Sequence, residues 1–327
     1  LVLAQLFMKE ARITGEHGHY YPSAIKMLDY ILENEHQNQD LKFRALVNKT
    51  GVLLSLHEFK SAYQSANQAY AMNPRNAQLL ACLIDANVEL GNYEKAVQVA
   101  DQLMRIKPDL KAYSRVAYLR EIHGDVNGSI EALQLAIEAG LPGTEEHAWA
   151  AQTLAELYLL YHQDKEAKQV LQALLETRPD YPFAIAALGD IEKSKGNLKG
   201  AEQHYKLAIN VIPEVGFYVQ LASLYKQQNR LEELKYLVDT ILMMLEEDIE
   251  SGHNMNMEYA SLYLDILDNP VNALDYTLTE YQKRPANIDV NRMLSKIYKA
   301  MGEQEKSIQY KQAASITNSS HPELRML

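Results

Sequence analysis

The side chains best suited to metal chemistry lie near the start of the chain, where Glu16, His17 and His19 read E-H-x-H. Two imidazoles and a carboxylate are common zinc ligands, and zinc held in this way can activate water for hydrolysis. No fourth ligand is evident in the surrounding sequence, which is polar and typical of a solvated loop. We therefore expect no bound metal and no other cofactor, and we keep a metal-dependent hydrolase as the third of three functional hypotheses.

The rest of the chain lacks the short motifs that usually organise a catalytic site. It contains no glycine-rich phosphate loop, no HExxH or CxxC motif and no nucleophile elbow. His57, His123 and His162 fall at or beside predicted turns between helices, where polar residues are common. Cys82 is the single cysteine, so no internal disulfide can form. The sequence thus predicts a protein that is not an enzyme.

Charge and hydropathy restrict the partners. The chain has 43 acidic residues against 32 lysines and arginines, a formal net charge of −11. This balance argues against a nucleic-acid partner, which requires a basic stripe, and it suits cationic ligands. No apolar run is long enough for a transmembrane helix. The chain begins at Leu1 within a helical pattern, so we interpret it as a fragment. A cytoplasmic location, a periplasmic or secreted one after signal-peptide removal, and any oligomeric state stay open.

The elements that must position these side chains are clearest in Ala77–Leu110. Apolar residues recur there at i, i+3, i+4 and i+7 in two successive runs, which is helical spacing. Gly91 and Asn92 separate the two runs, and Pro108 closes the second. The stretch is therefore predicted to form two short helices joined by a tight turn.

This helix pair recurs along the chain. Pro74, Pro108 and Pro142 are each 34 residues apart. A second marker is the residue near the start of each second helix, which recurs at Ala62, Ala96, Ser129, Ala167, Ala201, Leu234, Ala273 and Ser307. A period near 34 with a helix–turn–helix in each copy indicates an all-α solenoid. Such a fold accommodates 327 residues because each repeat packs only on its neighbours.

The fifth and sixth copies carry the most specific motif. In the fifth copy, Leu154 and Ala155 are followed by Tyr158, Ala167 and Pro179. With this pattern the sequence resembles the tetratricopeptide repeat superfamily over essentially its full length, and its looser motifs are similar to those of bacterial multi-repeat members. The resemblance implies a right-handed superhelix with a concave groove that holds a peptide or protein. Members of this superfamily are usually scaffolds rather than enzymes.

The expected organisation is a single array of about nine helix pairs, followed by a short tail that is truncated or begins a capping helix. The predicted repeats span residues 1–36, 43–76, 77–109, 110–143, 148–181, 182–214, 215–250, 254–287 and 288–318, and the tail spans residues 319–327. The second helix of the seventh repeat, from Leu231 to about Ile249, is expected to be longer than the others.

The first helix of each pair lines the groove in this family. The resemblance therefore places groove-facing side chains at the second, fifth and ninth positions of each repeat. The predicted partner-binding residues from this register are Asp85, Lys111, Tyr118, Trp149, Glu156, Phe183 and Asp190, and Arg115 is added because it forms a basic pair with Lys111. Two alternatives stay open: the acids serve only solubility, and Trp149, the sole tryptophan, packs against the break at residues 140–143.

Lys111 and Arg115 match a basic pair with which some family members clamp the acidic tails of chaperones. Val47, Gly51 and Cys82 occupy the other three clamp positions, so the complete clamp is not expected.

Three functional hypotheses follow. The first is a non-enzymatic interaction scaffold that binds a protein or peptide segment, polar or basic with an aromatic or apolar anchor. The second is a sensor in which a ligand or peptide closes the superhelix, with flex points at Leu231–Ile249 and Gly140–Thr144. The third is the metal-dependent hydrolase built on His17 and His19.

Overall fold

The computed structural model describes residues 1–14, 17–35 and 37–327, and within those ranges the secondary structure is helical, without strands. The helices are α1 (Val2–Thr14), α2 (His17–Asn34), α3 (Gln39–Ser55), α4 (Phe59–Met72), α5 (Ala77–Glu89), α6 (Tyr93–Ile106), α7 (Leu110–Ile122), α8 (Val126–Ala139), α9 (Glu145–Leu160), α10 (Asp164–Thr177), α11 (Pro182–Ser194), α12 (Leu198–Val211), α13 (Val215–Gln227), α14 (Leu231–Glu250), α15 (Asn256–Ser261, continued by a π-helical segment, Leu262–Ile266), α16 (Pro270–Lys283), α17 (Ile288–Ala300), α18 (Gln304–Ala314) and α19 (Pro322–Met326).

Consecutive helices form pairs, and the pairs stack into a solenoid. Each odd-numbered helix from α3 to α9 also contacts the next odd-numbered helix, whereas the even-numbered helices lie outside this layer. The odd-numbered helices therefore form the inner face. The expected extension of the second helix of the seventh repeat is confirmed, because this helix, α14, has 20 residues.

Local sequence explains where the inner helices begin. Asn76, Asp109 and Thr144 precede α5, α7 and α9, and each side chain accepts a hydrogen bond from the backbone N–H three residues on. Such N-caps satisfy N–H groups that lack a partner within the helix.

The turns between the two helices of a pair contain a residue in the left-handed backbone conformation, with positive φ. Gly91 and Gly124 have φ of +79° and +83°, and His57 and His162 adopt φ of +59° and +60° at the equivalent turns. The prediction that these two histidines are turn residues is confirmed. A residue with a Cβ pays about 1–2 kcal/mol for this conformation.

The recurring small residues mark the points where paired helices cross. Ala62, Ala96, Ala167 and Ala201 have no exposed surface, because the facing helix covers each of them. At another such crossing, a Cβ added to Gly189 would lie 2.6 Å from the ring of Tyr205. Close approach of the backbones therefore requires the small residues of the repeat pattern.

The first pair differs from the sequence-based expectation. His17 and His19 lie in the first turns of α2, not in a loop, and Pro22 lies inside the same helix. Burial of Tyr21 and Ala24 against the neighbouring helices extends the helical face across the proline, which removes only one backbone hydrogen bond. Glu16 and the side chain of His17 lie outside what the structure describes, so the E-H-x-H triplet is not placed.

The C-terminal repeats lie on the N-terminal ones. The Asn254 N–H donates to the Leu56 carbonyl at 3.1 Å, and the Asn254 carbonyl lies 3.1 Å from Nδ1 of His57. At Gly91, an added Cβ would lie 2.5 Å from the Ala286 backbone. The turns of the second and third repeats thus dock on the loops after the seventh and eighth.

The fourth repeat continues this contact. An added Cβ at Gly124 would lie 2.8 Å from the Asn318 carbonyl oxygen. We call the whole contact the seam, formed by residues 56–58, 89–93 and 121–124 against residues 254–258, 283–288 and 318–320. Among the described helices, none is both long and apolar enough to cross a membrane.

Candidate functional site

A cavity of about 710 Å³ lies on the inner face of the solenoid. One wall comes from α5, α7 and α9, and the opposite wall from the start of α17 and the tail. Its volume is that of a site for a small ligand or a few side chains of a peptide. Five of the predicted partner-binding residues line it: Asp85, Arg115, Tyr118, Trp149 and Glu156.

One face of α9 supplies the centre of the cavity wall. Trp149, Thr153, Glu156 and Leu160 follow at intervals of four, three and four residues, so they lie on the same side of the helix. Trp149 retains 49% of its surface exposed. A large aromatic side chain that is neither buried nor covered is available for contact with a partner.

Glu156 is a carboxylate without a cation. Its Oε1 accepts a hydrogen bond from Nε2 of Gln152 at 3.1 Å, and no lysine, arginine or histidine of the described chain pairs with it. Desolvation within the concave face raises the pKa of Glu156, and the charge of Asp190 raises it further. The cavity therefore contains an acidic group that an incoming positive charge would stabilise.

Arg115 and Asp85 neutralise each other. Nη2 of Arg115 donates to Oδ2 of Asp85 at 2.6 Å, and Nε donates to the Ala81 carbonyl at 3.1 Å. Lys111 is exposed and does not line the cavity; its carbonyl accepts a third bond from Arg115. The basic pair is therefore not arranged as a clamp for an acidic tail.

Tyr118 lies between these groups and the seam. It is 40% exposed and lines the cavity, one helical turn before Glu121. The Glu121 carboxylate accepts a hydrogen bond from the Tyr161 hydroxyl at 2.7 Å, and burial raises the pKa of Glu121. Sequence reasoning missed Glu121 because it lies outside the second, fifth and ninth positions.

Phe183 and Asp190 do not join the cavity. The Phe183 ring packs edge-on against Phe217, with centroids 5.3 Å apart. The Asp190 carboxylate accepts hydrogen bonds from the Tyr205 hydroxyl at 2.6 Å and from Nε2 of Gln220 at 2.8 Å. Phe183 thus packs the sixth repeat against the seventh, and Asp190 connects α11 to its own outer helix and to the seventh repeat.

The opposite wall was not anticipated. Asp289, Arg292 and His321 face the cavity from the last repeat and the tail. Arg292 is ion-paired with Asp289 at 2.9 Å and with Glu323 at 3.0 Å. The repeat register was a usable signal for two of them, because Asp289 and Arg292 occupy the second and fifth positions of the ninth repeat.

The cavity lining is acidic overall. Five carboxylates face two guanidinium groups, and both guanidinium groups are already ion-paired. Apolar side chains, including Ile84, Val88, Leu157 and Ile288, supply the remaining surface. The site can therefore accept an apolar group together with a positive charge.

A smaller cavity of about 240 Å³ lies within the seam. Arg284 is ion-paired there with both Glu89 and Glu280, and its guanidinium lies 4.7 Å from the ring centroid of Phe59. Burial raises the pKa of Glu89 to about 7, although Arg284 opposes this shift. The Ile288 N–H donates to the Tyr93 hydroxyl at 2.7 Å. Buried polar contacts thus hold the two ends of the solenoid together.

Within residues 1–14, 17–35 and 37–327, no group of three or more His, Cys, Asp or Glu side chains is arranged to hold a metal ion.

Comparison with known proteins completes this picture. The sequence model of the tetratricopeptide repeat family matches residues 53–121, which extend from the last turn of α3 through α4, α5 and α6 to the end of α7. Residues 53–121 of the chain therefore contain tetratricopeptide repeats. Residues from this chain are also 25% identical over 138 residues to cellulose synthase operon protein C of Pseudomonas fluorescens (strain SBW25). That match covers 39% of this chain and 10% of the relative, so the chain spans about a tenth of that protein's length.

Solved structures share the tetratricopeptide fold over nearly the whole chain. A Rap protein complexed with Competence and Sporulation Factor is 14% identical and has a TM-score of 0.58, with coverage of 99% of this chain and 98% of that one. The human IFIT1 dimer with m7Gppp-AAAA is 12% identical and has a TM-score of 0.52, with coverage of 90% and 76%. At these identities the likeness establishes the fold alone.

Proposed function

We propose that this tetratricopeptide repeat protein is a non-enzymatic scaffold that binds a peptide or protein segment in the cavity between its third to fifth repeats and its ninth. The observation that carries the proposal is the exposure of Trp149 and Tyr118 beside the unpaired carboxylate of Glu156. Aromatic anchors surrounded by polar groups are typical of the residues that dominate binding energy at interfaces.

The charge of the cavity selects among partners. Nucleic-acid phosphates would meet an excess of carboxylates here, because both guanidinium groups of the lining are ion-paired. The human IFIT1 structure holds m7Gppp-AAAA, but that likeness extends to the fold only. A polar or basic protein segment with an apolar anchor fits the lining better, and a Rap protein of the same fold is complexed with Competence and Sporulation Factor.

The sole tryptophan gives a direct assay. A random peptide display library is selected on the wild-type protein, and the chosen peptides are then titrated while the fluorescence of Trp149 is recorded. Tyr118→Ala is expected to weaken binding by about 30-fold, the effect of losing a central aromatic contact. Tyr236→Ala is the matched control, since Tyr236 is 71% exposed on α14 and does not line the cavity.

Binding that survives Tyr118→Ala at full strength would place the partner outside the cavity. Selected peptides that leave the fluorescence of Trp149 unchanged would do the same.

A second candidate function is a sensor that responds to a bound segment by changing the superhelix. The seam favours it, because the cavity has walls from both ends of the solenoid and an occupant would contact both. Binding can then shift the balance between closed and open seams. X-ray scattering with and without a selected peptide measures the radius of gyration, and an unchanged value at saturation would contradict this function.

A further inference from the structure

We infer that the segment bound in the cavity presents an arginine side chain, and that Glu156 receives its guanidinium on the face of α9 that also carries Trp149. This inference rests on the proposed function and names the chemistry of the group that the cavity selects. The acidic side chains of the cavity lining differ from one another, because most of them already have partners within the protein.

The partners of the other acids are specific. Asp85 is ion-paired with Arg115, Asp289 with Arg292, and Glu89 with Arg284. Glu121 accepts a hydrogen bond from the Tyr161 hydroxyl. Glu121 and Glu156 both have only neutral partners in the described chain, but Glu121 is buried, with 7% of its surface exposed, whereas Glu156 is exposed to the cavity. An incoming cation would therefore find its most favourable position at Glu156.

Gln152 indicates that this carboxylate is held in place. Gln152 is only 5% exposed, and its Nε2 donates to Glu156 while its buried Oε1 has no hydrogen-bond partner. A buried acceptor without a partner costs free energy, so its presence calls for an explanation. The arrangement aims the Gln152 amide N–H at Glu156, which orients the carboxylate on the cavity side of α9.

The shape of the cation favours arginine over lysine at this carboxylate. A planar guanidinium can donate two parallel hydrogen bonds to a carboxylate, whereas an ammonium is a strongly hydrated point charge. Trp149 lies two turns before Glu156 on the same face of α9, about 10 Å along the helix, and half of its surface is exposed, so it can contact a neighbouring residue of the same segment. The apolar lining at Leu157 and Leu160 would cover the methylene groups of an arginine side chain.

The test uses the full chain and peptides selected from a random display library on the wild-type protein. Selected sequences are expected to share an arginine at one position. Replacing that arginine with citrulline, its neutral isostere, is expected to weaken binding by tenfold or more, about the effect of losing a charged hydrogen bond. The Glu156→Gln variant should show a similar loss and no further loss with the citrulline peptide.

The control is Glu138→Gln, because Glu138 is an exposed acid on α8 outside the cavity and its removal changes the net charge equally. Arginine dependence that is unchanged in Glu156→Gln overturns the inference, as does equal binding when lysine replaces the arginine. Selected peptides that depend on Tyr118 but lack a shared arginine overturn the inference and leave the proposed function intact. Peptides independent of Tyr118 contradict the proposed function itself.

Discussion

The fifth and sixth repeats place the same chemistry in the same register but use it differently. Trp149 and Glu156 in the fifth repeat correspond to Phe183 and Asp190 in the sixth, each 34 residues later. The first pair faces an open cavity, whereas the second is held by contacts within the solenoid. The register thus decides the direction of a side chain, and the residues packed beside it decide whether it is free to bind.

The cause of the difference can be traced to two positions. Asp190 is held by Tyr205 and Gln220, and the residues at the equivalent positions of the preceding repeats are Leu171 and Ala187. Neither leucine nor alanine has a side-chain donor. The fifth repeat therefore lacks the two groups that occupy the carboxylate in the sixth.

The largest expected effect comes from removing the contact that closes the sixth repeat. Tyr205 has no exposed surface and donates its hydroxyl proton to Asp190. Tyr205→Ala should lower the free energy of unfolding by about 3–5 kcal/mol, because it leaves a cavity in the core. Trp149→Ala in the fifth repeat should change it by less than about 1 kcal/mol and abolish peptide binding. Chemical denaturation measures the free energy of unfolding, and titration calorimetry measures peptide binding without relying on tryptophan fluorescence. Equal destabilisation by the two variants would contradict the proposed difference between the fifth and sixth repeats.

An intermediate effect is expected at the turns. Gly91 of the third repeat and Gly196 of the sixth both have φ of +79°, but a Cβ on Gly91 would lie 2.5 Å from the Ala286 backbone while Gly196 has open space. Gly196→Ala should lower the free energy of unfolding by about 1–2 kcal/mol, from backbone strain alone. Gly91→Ala should lower it by about 1–3 kcal/mol more, because overpacking disrupts the seam.

Thermal unfolding measures the cost of each glycine variant, and X-ray scattering measures the opening of the seam. The radius of gyration should increase for Gly91→Ala and stay at the wild-type value for Gly196→Ala. Identical behaviour of the two variants would show that the seam contributes nothing to the solution structure.

The smallest expected effect is a pH dependence of stability that originates in the seam. Burial raises the pKa of Glu89 from 4.5 to about 7, so the folded protein binds this proton more tightly than the unfolded chain. The stabilisation is complete below about pH 4.5 and is lost as the pH rises through 7. The contribution of Glu89 to the free energy of unfolding should be about 1–2 kcal/mol. This is less than the full pKa shift implies, because Glu89 is partly exposed.

The comparison is between the melting temperatures of the wild type and Glu89→Gln at pH 5.5 and 7.5. The wild type should lose more stability over this interval than the variant, whose amide does not titrate. An equal pH dependence in both proteins would assign it to other groups, such as Asp190, whose pKa burial also raises.

Local patterns predicted the repeating part of this protein. Apolar spacing of three and four residues places each helix, and the turn at Gly91 and the small residue at Ala96 follow from backbone conformation and close packing. These features depend on residues within a few positions of each other, so one sequence reports them directly. The repeat register also placed four of the eight candidate residues in one cavity, and the match to a basic pair placed a fifth, Arg115, there.

The remaining features depend on contacts between distant residues. Whether Asp190 is free depends on Tyr205 and Gln220, and the sequence pattern treats their positions as equivalent to those of Leu171 and Ala187. The opposite wall of the cavity, at Asp289, depends on a small rotation at each repeat that accumulates until the ninth repeat meets the third. A rotation of this kind arises from side-chain packing along the whole solenoid, and only the tertiary structure decides where it brings the two ends together.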